Sequence, residues 1–144
     1  MTSTAQMRRQ HDELDDLARK LLDVAQAGDH ELTRKTLAAL TGLLSVHAAA
    51  EDYSVYPRLA AHSDASIREG ARRIAAEFGD LKRRLDEFTQ RWLPRGTIEA
   101  APAALVVELR AMLASLAERV AAEERYLYEP LDALDRAAVS STED

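Results

Sequence analysis

The stretch His47-Ala48-Ala49-Ala50-Glu51-Asp52, followed by Tyr53, Tyr56 and Pro57, decides how the rest of the chain is read. A spacing of four stacks the imidazole of His47 and the carboxylate of Glu51 on one face of a helix. Leu37, Leu40 and Leu44 precede His47 at steps of three and four, so the face that carries His47 and Glu51 is the buried one. Polar groups on a core stripe need partners there, because an unpaired buried charge is costly. At this point two readings stay open. The pair is either a buried His–Glu hydrogen bond that specifies packing, or part of a metal site that other helices complete.

The composition favours helices. Of 144 residues, 47% are hydrophobic, only 5% are aromatic and glycine is scarce. This length suits a single domain over residues 1–144, with a core of its own. A formal charge of −6 argues against a nucleic-acid surface, and the basic clusters, such as Lys82-Arg83-Arg84, are interleaved with acids. The absence of cysteine excludes disulfides, thiolate chemistry and iron–sulfur clusters. No apolar run has membrane-spanning length and the first residues lack a signal-peptide pattern, so a cytoplasmic protein is expected.

Working outward, the first helix begins after Ser3 or Thr4 and ends near Gly28, with Met7, His11, Leu14, Ala18, Leu21 and Ala25 as its inward stripe. Asp29 caps the second helix, which runs through the opening stretch to about His62 with a bend at Pro57. Ser63 or Asp64 caps the third, whose apolar stripe runs from Ile67 through Phe78 to Trp92 before Pro94-Arg95-Gly96 stops it. Thr97 to Ala101 form a loop or an imperfect first turn, and Pro102 opens the fourth helix. The last residues, Ser140 to Asp144, are expected to fray. The expected fold is all-α, an up-down-up-down antiparallel four-helix bundle.

The two halves overlay weakly. His47, Glu51, Tyr53 and Pro57 match Val120, Glu124, Tyr126 and Pro130 at identical spacings, and His11-x-x-Leu14 matches Phe78-x-x-Leu81. Each half therefore offers one position on its first helix and a pair four apart on its second. The first half reads His, His, Glu and the second reads Phe, Val, Glu.

Those residues resemble the hemerythrin-like, or HHE cation-binding, family. The resemblance rests on His11, on His47-x-x-x-Glu51 with Tyr56-Pro57, and on Glu123-Glu124 near Tyr128 and Pro130. It implies a bundle whose facing histidines and carboxylates hold non-haem iron for carrying or sensing O2 or NO, or for iron handling. It assigns His11, His47, Glu51 and Glu124 as metal ligands. The family has a histidine where this chain has Phe78, and another where it has Val120, or Arg119 if the register slips by one. The implied load is one iron ion per chain instead of two, with Phe78 and Val120 lining the vacated half. Asp15, Glu77 and Glu123 are held in reserve as carboxylates, and Tyr53 and Tyr126 as side chains able to ligate or gate.

Two other readings stand beside this one. A half-apolar centre is what haem prefers, with His47 or His11 as axial ligand. Alternatively, the histidines and glutamates form a metal-free polar network in a structural or interaction module. His30 and His62 are expected on the surface. Nothing resembles a nucleophile–base pair or a phosphate-cradling loop, so hydrolase and transferase readings have no support, and oxidase or peroxidase activity at an open iron is not indicated. The expected partners are a metal ion and a diatomic ligand, with no nucleic acid or membrane, in a monomer or homodimer.

Overall fold

The structure is a computed structural model that describes residues 3–143, and the backbone alone for 141–143. It is all-α, with no strand among the described residues. Helix α1 spans Thr4–Gln26 and α2 spans His30–Ala50. A π-helical turn at Glu51–Val55 leads into α3, Tyr56–Ala60. Then come α4 (Ala65–Trp92), the short α5 (Thr97–Ala100) and α6 (Pro102–Glu123). A second π-helical turn at Glu124–Tyr128 leads into α7, Glu129–Glu143.

The starts of these helices are chemically specified. Ser3 Oγ accepts from the Gln6 backbone N–H while Gln6 Oε1 accepts from that of Ser3, a reciprocal capping box. Asp29 and Asp64 cap α2 and α4 through their side chains. Gly28 and Gly96 follow α1 and α4 at φ of 79° and 87°, a left-handed backbone that other residues adopt only under strain.

Thr97–Ala100 close a helical turn, one of the two expectations for this segment, and Ala101 separates it from α6. The end departs from the sequence reading: the last helix continues to Glu143, with Asp144 outside the described residues. After Pro130 no glycine or proline interrupts that helix.

The π-turns have a common cause. Proline has no N–H to give and its ring crowds the carbonyl four residues back. Pro57 and Pro130 each sit just beyond a π-turn, and the carbonyls they would crowd, those of Tyr53 and Tyr126, lie within those turns. The looser turn absorbs the conflict: Tyr56 N–H bonds to Glu51 O, and Glu129 N–H to Glu124 O, five residues apart in each case. The expected bend at Pro57 is thus an inserted residue.

Helix α1 packs on α2 and α6, and α4 packs on the same two helices. Their buried faces form two apolar clusters. One is rich in leucine, centred on Leu14, Leu40, Leu44, Leu85 and Leu109 with Phe88 and Trp92. The other is smaller and contains Met7, Val55, Leu59, Ile74, Leu127 and Leu131. Buried polar side chains from α1, α2, α6 and the π-turns lie between them along the chain. No helix among the described residues is long and apolar enough to cross a membrane.

Candidate metal centre

His11 comes from the inward stripe of α1, His47 from α2 and Glu123 from the last turn of α6. Their side chains meet in a triangle. His11 Nε2 lies 3.0 Å from His47 Nε2 and 2.9 Å from Glu123 Oε1, and His47 Nε2 lies 3.0 Å from the same oxygen. All three residues are buried. Among the described residues they are the group of donors spaced closely enough to share one ion.

The outer ring nitrogens fix what the inner ones offer. His11 Nδ1–H donates to Glu124 Oε1 at 3.0 Å, and His47 Nδ1–H donates to the amide oxygen of Gln10 at 2.7 Å. A proton held on each Nδ1 leaves the Nε2 of a neutral imidazole as a lone pair. Two lone pairs and a carboxylate oxygen then converge on one point, where a cation or a shared proton must sit.

Glu51 and Tyr128 close the site. The Tyr128 hydroxyl donates to Glu51 Oε2 at 2.9 Å and lies 3.3 Å from both Nε2 atoms. Glu51 Oε2 is 3.5 Å from His47 Nε2. Its other oxygen, Oε1, is buried without any partner. A buried carboxylate oxygen left unsatisfied costs about 1–3 kcal/mol, so its presence needs an explanation. A metal ion would satisfy it, and two imidazoles with two carboxylates suit iron, zinc or manganese.

The electrostatics divide the two carboxylates. Burial, reinforced by the nearby Glu123 carboxylate, pushes Glu51 up to about 9. Burial acts against Glu123 as well, yet His11 and His47, which can donate to it once they are protonated, and the charge of Arg119 hold it well below the usual range. Burial pulls the His11 imidazole down, but Glu123 and Glu124 more than offset this and leave it raised. Burial and the surrounding carboxylates raise the Tyr128 phenol, which keeps its proton and remains a donor.

Of the residues expected to form the site, His11, His47 and Glu51 come together. Glu124 does not join them at the centre. It is one position round the helix, partly exposed, where it accepts from His11 and from Arg8 Nε at 2.9 Å. Glu123, held in reserve by the sequence reading, takes the inner place because it continues the buried stripe of α6 through Leu116 and Arg119 at steps of three and four. The same slip moves Val120 off centre: it is half-buried, and Arg119 faces the site instead. Phe78 is partly buried and its ring lies beneath the Arg119 guanidinium at 4.5 Å.

The other reserves lie outside the cluster. Asp15 pairs with Arg19 on the surface, Glu77 is exposed, Tyr53 is 81% exposed, and Tyr126 stacks with Arg73 and Arg125. His62 accepts from the Asp64 backbone, and neither it nor His30 joins the centre. Sequence reasoning gave no role to Tyr128 or to Gln10. A signal for Tyr128 was present, because Tyr56 follows Glu51 at the interval at which Tyr128 follows Glu123.

The sequence profile of the hemerythrin HHE cation-binding domain matches residues 2–131. The chain belongs to this family. No curated protein and no solved structure matches it significantly. The HHE match spans every residue of the triangle, both π-turns and the outer acceptors Gln10 and Glu124, so the cation-binding description covers the whole site.

Proposed function

We propose that this HHE domain binds one non-haem iron ion per chain through His11, His47, Glu123 and Glu51, and presents it to a small diatomic ligand such as O2 or NO. The observation that carries this reading is the convergence of three acceptor atoms within about 3 Å of one another, with both outer ring nitrogens already engaged. The partnerless Glu51 Oε1 supports a further contact to the same ion. The four helical rods are read as alternating up and down, which would bring ligands from the first, second and last rods to one level.

Iron, when bound, supplies a redox couple and a coordination position open to a diatomic molecule. The chain's own residues supply the rest. Glu124 and Gln10 orient the two imidazoles, a role that outer partners commonly play for metal-bound histidine. Tyr128 holds Glu51 and aims a hydroxyl at the centre, and the flanking apolar clusters exclude water.

Haem has less support. The two Nε2 atoms and the Tyr128 hydroxyl are too close together to admit a porphyrin face between them. The adjoining apolar cavity lined by Leu40, Leu44, Phe78 and Leu81 measures about 20 Å³. Pockets for ligands of that class are of order 300 Å³ or more, roughly.

Purification without added metal, followed by elemental analysis and an absorption spectrum, tests the proposal. Iron near one equivalent without a porphyrin band is the expected result. A porphyrin band, or failure to take up any metal on titration, would overturn it.

A further inference from the structure

We infer that Arg119 is a resident cation standing where a second metal ion would otherwise sit, so that Glu123 bridges one metal ion and one guanidinium. This rests on the metal-binding reading above and concerns the half of the site that reading leaves unused.

The repeat of buried side chains, one residue earlier on α6 than the overlay of the two halves, places Arg119 there. His47 and Glu51 are four apart on one helix, and Arg119 and Glu123 are four apart on another, each pair ending at the edge of a π-turn. The ring of His11 packs against His47 with centroids 4.7 Å apart, and the ring of Phe78 packs against the Arg119 guanidinium. Tyr128 reaches Glu51 in the first half, and Tyr56 reaches Arg119 in the second. One half therefore reads His, His, Glu with a tyrosine, and the other reads Phe, Arg, Glu with a tyrosine.

The guanidinium is held as an ion is held, by acceptors from several directions. Arg119 Nε donates to Glu123 Oε2 at 2.6 Å, one terminal nitrogen donates to Tyr56 OH at 2.7 Å, and the other donates to the backbone carbonyl of Ile74. The Phe78 face covers its flat side, where a cation is attracted to the ring. Arginine keeps its charge in proteins, and burying that charge is expensive unless it is fully paired. Arg119 is 7% exposed, and each of its three nitrogens has an acceptor, the Glu123 carboxylate among them.

The consequence lies in how the two oxygens of Glu123 are divided. Oε2 is taken by Arg119, while Oε1 faces His11 and His47. A carboxylate that could bridge two metal ions is committed on one side to a fixed organic cation. Arg119 thereby acts as a positioning residue for Glu123, and excludes a second ion by occupying its place and by its charge.

Manganese(II) provides the probe, with bound metal counted by equilibrium dialysis and its magnetic state read by electron paramagnetic resonance. Wild-type protein in excess manganese should hold one ion with the hyperfine pattern of an isolated centre. Phe78→His should still hold one, because Arg119 remains in place. The double change Phe78→His with Arg119→His should hold two, with a spin-coupled spectrum. Two ions in wild type, two in Phe78→His alone, or one in a folded double variant would overturn the inference while leaving the metal-binding reading intact. No ion in wild type would instead remove the metal-binding reading. Phe78→His retains the Arg119 contacts to Glu123, Tyr56 and Ile74, so the test stands even if the double variant does not fold.

Discussion

Tyr128, the last residue of the second π-turn, donates its hydroxyl to Glu51, the first residue of the other, at 2.9 Å. The bond ties together the two places where the helical backbone is irregular, and does so at the metal centre. Tyr128→Phe leaves both oxygens of Glu51 without a hydrogen-bond donor in the metal-free protein. The expected loss is about 1–3 kcal/mol. Denaturant unfolding of chelator-treated protein, with an unchanged slope, measures it. Unaltered stability would show that the bond holds nothing.

Metal binding and folding are linked. A metal that binds only the folded chain stabilises it by about 2.7 kcal/mol at roughly hundredfold excess over Kd. Chelation should lower the Tm by several degrees, and His47→Ala should abolish that response. Because His47→Ala also removes a partner of Glu123 and Gln10, destabilisation alone is uninformative. The quantity to measure is the difference between wild type and variant in their response to chelator.

The two neighbouring glutamates of α6 and the second π-turn should separate cleanly. Glu123→Gln removes the charged oxygen between the two histidines and should abolish tight binding. Glu124→Gln weakens the outer bond to His11 Nδ1 and the pair with Arg8, neither of them at the centre, so affinity should fall by about 10–100-fold with stoichiometry unchanged. Isothermal titration with a divalent metal distinguishes them. Equal effects would return Glu124 to the centre.

The pH dependence of the metal-free protein follows from Glu51. Its folded value lies near 9, above the ordinary carboxylate value of 4.5. The stability it contributes is therefore fully present below 4.5 and is lost as pH rises through 9, because the unfolded chain ionises first. His11, also raised, acts with the same sign, whereas the depressed Glu123 contributes stability that is lost in acid. Glu51→Gln should flatten the decline on the alkaline side. Metal-loaded protein should show the opposite slope in weak acid, since protons compete for the ligands. Unfolding free energies at several pH values, with and without metal, check both.

Much of this is legible in the sequence. The apolar stripes of α1 and α4, the Asp29 cap and the inward direction of His11 and His47 follow from helical periodicity alone. The inner carboxylate of the last helix was displaced by the overlay of the two halves. The overlay aligned Pro57 with Pro130, and hence Glu51 with Glu124, and the backbone does repeat in that register, with π-turns starting at Glu51 and at Glu124. The side chains of the site repeat one residue earlier: Glu123 faces Glu51's partners, and Arg119 takes the place opposite His47. The buried stripe of α6 runs Leu109, Met112, Leu116, Arg119, Glu123 in regular helical steps and ends before the π-turn, so matching the prolines beyond that turn is what displaced the register by one. The partners of the outer nitrogens were equally hidden: Gln10 had no expected role, and Glu124 was expected on the metal and not on the far nitrogen of His11.

The polar centre lies between the large leucine-rich cluster and the smaller one around Met7, Leu59 and Leu131, and its hydrogen bonds join helices that each cluster also joins. It is therefore the joint through which the two ends of the molecule share their protection against opening. With the joint tightened by an ion, amide hydrogens at both ends should exchange with solvent at similar, slow rates. With the ion removed, the amides around Leu59 and Leu131 should exchange through local opening, while those around Leu40 and Leu85 still wait for the whole chain to unfold.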